Sequence, residues 1–501
     1  MKKFLFFLKK HYFTVLLFVI LLLAAFLRFY DFSNRWGFAY DQAHDVVIAR
    51  FAVSHFKLPL LGPFSSAGPF QTGGEWYWFI MLGSIVVPFF VNGPWMFLVL
   101  TEIAFVGVMA WVGKKLLGNW FGILSALLAA VSPSLINQSI NLTNQAPIAL
   151  IALFAFISAI YYVRSGSSKP LFFLGLCIGL ASSIHLQGVA LGILLIMTIF
   201  ITGIPKMKAL GLLIVGLVLP WIPVFANDFV NHFFNTKNML QYYLHDQYKI
   251  PLEVFGRRWL TYAGIFWPAS WANIIGVNKI IGYALSIGSL FTIIIALFFK
   301  KIRREWLVLL LSFFGMVILL RYLRAPLFDS YLMFILPLVL LFSSLVLFII
   351  TKQQKIIGII LICIVVGFSL QKTGVDLKNS RNEMLKRTAF WSQLLKKTYP
   401  NKKFALYDYA YRSSGYSVPL VMYMQYNNLL DINGYKIGFG KPSKKDDPKN
   451  VNSFKEIKGN TMGFNLMDIN SSTSAQLTST GWDPINPEFI YNSTESWYVH
   501  K

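Results

Sequence analysis

Cysteine is nearly missing: the 501 residues contain two, Cys177 and Cys363, both inside apolar runs. A disulfide framework and a zinc-type cysteine spacing are thereby excluded, and the two thiols read as small buried hydrophobes. Charge is also scarce. Asp, Glu, Lys and Arg make up 13% of the chain, against about 25% in soluble domains, which excludes an ordinary soluble enzyme. Acids are the scarcer sign, 21 against 45 Lys and Arg, for a formal net charge of +24. Such an excess suggests a nucleic-acid ligand, but the basic residues form no continuous stripe. They punctuate the ends of apolar runs instead, as membrane topology requires, and nucleic acid is excluded as a partner. No internal repeat is evident, which disfavours transporter folds built from duplicated halves. No small-x-small cleavage site follows the apolar stretch ending at Leu27; Arg28, Phe29 and Tyr30 come instead. The basic Met1–Lys10 segment therefore introduces an uncleaved first span.

Apolar and aromatic residues dominate, at 56% and 17% of the chain. Apolar runs recur from Tyr12 to Leu370, each near the roughly 20 residues that cross about 30 Å of hydrocarbon. Counting loop charges gives a multi-pass cell-membrane protein of about eleven transmembrane helices, with a cytoplasmic N-terminus. The spans fall near 12–29, 95–113, 119–134, 147–163, 171–184, 188–204, 209–226, 280–299, 306–320, 331–350 and 356–370. Lys114–Lys115, Arg164 with Lys169, Lys206 with Lys208, Lys300–Arg304 and Lys352 with Lys355 then lie inside. Trp76 to Val91 is apolar but short and aromatic-rich, so it reads as an interfacial helix in the first outer loop. Counting it as a crossing would move Lys114–Lys115, Arg164–Lys169 and Lys300–Arg304 outside together. The expected domains are a transmembrane domain, 1–370, with outer loops 30–94 and 227–278, and an extracytoplasmic C-terminal domain, 371–501. In the latter, Asn379–Lys397 and Val418–Asn427 read as helices, Lys403–Asp408 as a strand, and Gly434–Pro442 and Trp482–Pro487 as turns. A small α/β or α+β domain follows.

The sharpest polar cluster is Tyr40-Asp41-Gln42-Ala43-His44-Asp45, just beyond the first span. On a helix, Asp41 and Asp45 share one face. Two neighbouring carboxylates repel, which raises the pKa of one and suits a general base or a cation site. Solvated loop helices with incidental acids show the same spacing, and spacing alone does not separate the two. The loop continues Pro59-Leu60-Leu61-Gly62-Pro63-Phe64-Ser65-Ser66-Ala67-Gly68 and Thr72-Gly73-Gly74-Glu75-Trp76-Tyr77-Trp78, a density of Gly and Pro that gives a tightly turned segment. Glu102, inside the second apolar run, is an expensive charge with no assigned role.

This order of first span, Asp-Gln-x-x-Asp, Leu-x-Gly-Pro-x-Ser-Ser, Gly-Gly-x-x-Tyr and interfacial aromatic helix resembles the first outer loop of C-type membrane glycosyltransferases. The likeness is to the branch of protein O-mannosyltransferases and aminoarabinose lipid A transferases. Ser132-Pro133, Gly179-Leu180-Ala181 before His185-Leu186-Gln187, Pro220-Trp221-Ile222-Pro223, and Tyr331-Leu332 with Pro337 are similar in order, so the resemblance covers roughly 10–345. It implies inverting transfer of a sugar from a polyprenyl-phosphate carrier to an acceptor hydroxyl of a protein, lipid or polysaccharide, on the extracytoplasmic side. Asp41 matches the family's acid that acts on the acceptor, with Asp45 beside it as the second catalytic candidate. Developing phosphate charge needs cations, for which His185, Arg257, Arg258, Arg321 and Arg324 are candidates. Gln42, His44, Glu75, Gln187 and Tyr331 are substrate-binding candidates. The loop 137–145, Asn-Gln-Ser-Ile-Asn-Leu-Thr-Asn-Gln, lacks the second acid that family members often carry. Any divalent cation, Mg or Mn, would depend on Asp41, Asp45 and Glu75, since amide oxygens bind such ions weakly. Two other readings stay open: a transporter or flippase of lipid-linked sugars, and a non-enzymatic envelope assembly protein that docks through its C-terminal domain.

Overall fold

A computed structural model describes residues 2–65, 68–249, 258–298, 303–322, 329–379, 382–409, 414–439, 455–457, 466–479 and 482–495. Helices predominate; the described strands form one short hairpin and one five-stranded sheet. Each of the eleven apolar runs carries helix. Six helices among the described residues are long and apolar enough to cross a bilayer, or eight if each of two bent pairs is one span. The chain is a multi-pass membrane protein. Ser168–Ile184 and Leu186–Thr202 are shorter apolar helices; 17 residues at 1.5 Å each reach only about 25 Å. The helix Glu75–Val86 has 12 residues and reaches about 18 Å, too short to cross upright.

Two compact units divide the chain. The first holds Met1–Ser33, Leu60–Trp76 and Trp95–Ser380; the second holds Asn34–Pro59, Tyr77–Pro94 and Arg381–Lys501. The change of composition after Leu370 marks where the long apolar runs stop, whereas compactness groups two pieces of the first outer loop with the polar C-terminal segment.

In the first unit, small residues set helix spacing. A Cβ on Gly216 would lie 2.3 Å from the Phe172 carbonyl oxygen, and one on Gly179 would lie 2.4 Å from that of Leu217. Helices Ser168–Ile184 and Met207–Val218 therefore touch backbone to backbone, as membrane helices do when van der Waals packing must hold them. Arg28 is fully buried, and its guanidinium donates to the carbonyl oxygens of Ala24 and Ala130 at 3.3 and 3.2 Å. Buried Glu102 is its electrostatic partner, which gives that expensive acid a structural counter-charge. Arg164 closes another junction: its Nε donates to Glu305 at 2.8 Å and its Nη1 to the Lys115 carbonyl oxygen at 3.1 Å. The hairpin pairs Leu61–Phe64 (β1) with Gln71–Gly73 (β2). Asn235 holds β2 as a third strand would, accepting from the Gln71 amide at 2.7 Å and donating to its carbonyl oxygen at 3.1 Å. Asp228 in turn accepts from the amides of Asn235 and Thr236 at 2.8 and 2.9 Å.

The second unit is built on strands Phe404–Tyr409 (β3), Tyr435–Phe439 (β4), Lys455–Glu456 (β5), Leu466–Asp468 (β6) and Trp482–Pro484 (β7), in the spatial order β5-β6-β4-β3-β7. β3 and β4 are parallel, joined across the helix Ser414–Tyr426, and the other pairs are antiparallel. Helix Glu383–Thr398 begins at Asn382, whose side chain accepts from the Leu385 amide. Two expected turns are corrected: Tyr435–Phe439 and Trp482–Pro484 are strands. Gly434 and Pro484–Pro487 dominated the reading there, while burial of Ile437, Phe439 and Trp482 decides the outcome. The Trp482 ring lies where a Cβ on Gly438 would sit, 2.5 Å away. Arg50, on the helix Tyr40–Ser54, explains why loop pieces join this unit. It donates to the Val91 carbonyl oxygen at 3.0 Å and covers the Tyr426 ring at 4.8 Å.

Candidate functional site

The segment that carries Asp41 and Asp45 is a helix, Tyr40–Ser54, the condition under which the two acids share a face. Ala43, Val46, Val47, Ile48 and Ala49 are buried, so packing fixes the helix and leaves the start of its first turn, Tyr40 and Asp41, exposed. Asp41 lies where the unpaired amides and the helix dipole favour negative charge. Its pKa is nevertheless raised, by desolvation first and by Asp45 second, with His44 opposing. The Tyr40 hydroxyl is pushed up by burial and then by both acids. Asp45 differs. It is 7% exposed and lies 3.2 Å from His44 Nδ1. Of the two acids, only Asp41 is open to an incoming molecule. Gln42 is buried, and His44 packs its ring 5.7 Å from that of Tyr40.

A second polar centre lies in the first unit. Glu75 opens the helix Glu75–Val86 and is 7% exposed. Ser183 Oγ donates to its Oε2 at 2.8 Å, while Oε1 has no partner among the described residues. Burial raises the Glu75 pKa; its own backbone amide and Ser183 oppose that shift. Gly73 makes room: a Cβ there would lie 1.9 Å from Ser183 Oγ and 2.1 Å from Glu75 Oε2. His185 follows the helix Ser168–Ile184 and is held from three sides. The Gln187 amide donates to its Nδ1 at 3.3 Å, Gln145 Nε2 and His185 Nε2 lie 3.1 Å apart, and the Tyr331 ring sits at 5.5 Å. With Nδ1 accepting, the proton of the neutral ring sits on Nε2, the atom that the Gln145 amide group faces. Burial lowers the His185 pKa to about 4, so the ring offers a hydrogen bond and no charge at neutral pH. Gln187 reaches the Ser330 carbonyl oxygen at 3.3 Å.

The other cation candidates are dispersed. Arg258 is exposed at the start of the helix Trp259–Thr261. Arg321 stacks over Trp259 at 4.2 Å and Tyr322 at 5.1 Å, which gives that arginine a physical partner. Arg257 and Arg324 lie outside the described residues. The acid-free loop 137–145 uses its amides for architecture: Asn144 donates to the Ile184 carbonyl oxygen at 3.2 Å and Gln145 steadies His185. Asn137 meets Asp376 Oδ2 at 3.4 Å, beside a polar recess of about 250 Å³ that also holds Gln138, Asn273 and Lys372. Ser183, Gln145, Asn235 and Asp376 were not singled out in the sequence. The signal for Ser183 was its place two residues before His185.

Comparison with known proteins separates fold from sequence. No family model matches the chain, and no curated protein matches it in sequence. Solved structures do match. ArnT from Cupriavidus metallidurans bound to undecaprenyl phosphate aligns over 92% of this chain and 98% of its own, at 10% identity and TM-score 0.62. Its apo state gives 91% and 96%, with TM-score 0.58. The archaeal oligosaccharyltransferase AglB from Archaeoglobus fulgidus, in complex with an inhibitory peptide and a dolichol-phosphate, aligns over 79% of this chain at 11% identity and TM-score 0.52. The chain has the fold of ArnT and AglB. It spans 59% of the length of AglB and nearly all of ArnT. Both are membrane glycosyltransferases of the C type resembled in sequence. Among the described residues no three His, Cys, Asp or Glu side chains converge as a metal site. Asp41 and Asp45 belong to the second unit and Glu75 to the first.

Proposed function

We propose that the chain is an inverting glycosyltransferase that moves a sugar from a polyprenyl phosphate to an acceptor hydroxyl on the extracytoplasmic side of the membrane. Eleven crossings, the N-terminus in the cytoplasm and the polar C-terminal segment outside complete the reading. The observation that carries it is Asp41: an accessible carboxyl with a raised pKa, at the start of the helix Tyr40–Ser54 that follows the first apolar run of an ArnT-like chain. A base needs a pKa nearer the working pH than an ordinary carboxylate has, and desolvation with a like-charged neighbour supplies that shift.

The atoms balance simply. The Asp41 carboxylate takes the proton of the acceptor O–H as that oxygen bonds to the anomeric carbon. The bond from that carbon to the phosphate oxygen breaks on the opposite face, and the phosphate leaves with its polyprenol. Asp45 keeps the pKa of the base raised, and His44, assigned to the substrate, opposes that shift. Arg258 and Arg321 are assigned to the phosphate charge, and His185, neutral, to a hydrogen bond on the donor beside Glu75, Gln187 and Tyr331. Gln42 is assigned to the acceptor. Arg257 and Arg324 remain in the phosphate-binding set on sequence grounds.

Mass spectrometry of lipids retained through purification tests the donor class. A polyprenyl phosphate or its glycosylated form is the expected companion. A preparation that binds no added undecaprenyl phosphate and carries no isoprenoid phosphate would sink the assignment.

A further inference from the structure

The second unit contains a cavity of about 360 Å³, within the roughly 300–1,000 Å³ of small-molecule sites. It lies at the other end of the helix that carries Asp41. Ser54 and His55 line it, and the 13 residues from Asp41 to Ser54 span about 20 Å of helix. Its remaining walls come from the start of β3, the segment before β4 and the segment after β7. It is a separate place from the proposed base.

The lining is chemically selective. In a chain with 45 Lys and Arg, none of the lining residues is either one. Asp431 and Glu488 contribute carboxylates, and Gln425, Asn428 and Asn486 contribute carboxamides. Phosphate, sulfate and uronate ligands meet two acids in the wall itself, and the lysines nearby are engaged: Lys403 donates to Asn428 Oδ1 at 3.5 Å and Lys57 lies over the Phe51 ring at 5.3 Å. Apolar surface is offered alongside by Phe51, Leu430 and Ile432, the last 64% exposed.

Several of these groups have unused capacity. Gln425 Oε1 is buried and has no partner among the described residues, a state that protein interiors avoid unless a ligand or water completes it. Asn486 spends its Oδ1 on the Phe489 amide at 2.9 Å, which leaves its NH2 to donate. His55 Nδ1 lies 2.9 Å from the Phe51 carbonyl oxygen, so that nitrogen carries the proton and Nε2 is an acceptor. Alternating donors and acceptors around a partly apolar wall match a ring that presents hydroxyls at its rim and C–H groups on its face.

We propose that this cavity is a binding site for a pyranose sugar without anionic groups, either neutral or amino-substituted. That the sugar belongs to the acceptor or the product is a further step, which rests on the transferase reading.

The test uses the full-length chain in lipid nanodiscs on an immobilised panel of neutral hexopyranosides, amino sugars, hexuronic acids and sugar phosphates. Binding to at least one neutral or amino sugar, and to none of the anionic ones, is expected. Gln425→Leu and Asp431→Asn should each weaken it by tenfold or more. Asp431→Asn keeps an oxygen for the Asn433 amide, at 2.9 Å from Asp431 Oδ1, so this variant stays informative if Gln425→Leu unfolds. No binding to any uncharged or amino sugar, a preference for anionic ones, or binding indifferent to both substitutions overturns the site. Asp41→Asn should bind the panel normally. Transfer without panel binding would refute the cavity alone, and panel binding without any transfer would refute the transferase reading alone.

Discussion

Asp41 and Glu75 are both carboxyl groups whose pKa is raised chiefly by burial, one in each compact unit, and the remaining causes separate them. Glu75 is 7% exposed and receives hydrogen bonds from its own amide and from Ser183. Fixed donors hold such an acid in one orientation. Asp41 is exposed, and its next-largest influence is another acid, Asp45. A carboxyl facing a like charge, with an open path to solvent, is readied to exchange a proton. The same side-chain chemistry is thus held by fixed donors at Glu75 and left open to solvent at Asp41.

Substitution of each acid by its amide is the strongest way to break that contrast. Asp41→Asn should lower kcat for transfer from the copurifying donor by about 10²–10⁴-fold, the usual worth of a general base, with lipid retention unchanged. Glu75→Gln keeps an oxygen for Ser183 and should cost far less turnover; equal losses would erase the distinction.

The bundle's own ion pair is the next lever. Glu305 is 3% exposed and Arg164 is 26% exposed. Glu305→Ala leaves a partly buried guanidinium unpaired and should destabilise the chain by about 3 kcal/mol, read from denaturant unfolding in bicelles. An unchanged midpoint would mean that the helix ends do not depend on it.

Gly73→Ala sharpens the account of Glu75. Its methyl must displace Ser183 or Glu75, at about 1–3 kcal/mol for an overpacked site. Faster hydrogen exchange in β1 and β2 is the expected signature. Protection at the wild-type level would show that the hairpin yields at no cost.

The smallest expected effect is on pH dependence. The base must be ionised, so transfer falls as pH drops through the raised pKa of Asp41, and the acid limb lies above the ordinary value of 3.8. Asp45→Asn removes a like charge that raises that pKa, so the limb should move to lower pH. A shift upward, or none, would mean that Asp45 does not act on Asp41.

Much of the bundle was legible because long apolar runs ended by Lys and Arg encode helix. That Asp41 and Asp45 share a face if their segment is helical was legible from their spacing of four, and the segment is a helix. β4 and β7 were not, because strands of five and three residues flanked by Gly and Pro carry too little alternation to outweigh turn signals. Nor was the Glu75–Ser183 contact, which joins residues over a hundred positions apart through a space that only Gly73 leaves open. The Arg321 stack on Trp259 was not legible either, since the sequence offered Arg321 only as a candidate for phosphate charge.

The second compact unit is discontinuous in the chain, and this bears on its birth at the ribosome. Asn34–Pro59 and Tyr77–Pro94 emerge early, but the strands and helices of Arg381–Lys501 come only after Trp95–Ser380 has been translated and inserted. At roughly 5–20 residues per second, the helix bearing Asp41 waits on the order of 15 to 60 s for the sheet that shares its unit. The proposed base is therefore assembled last, and a chain truncated before β3 would carry every apolar run yet leave that helix without its partners.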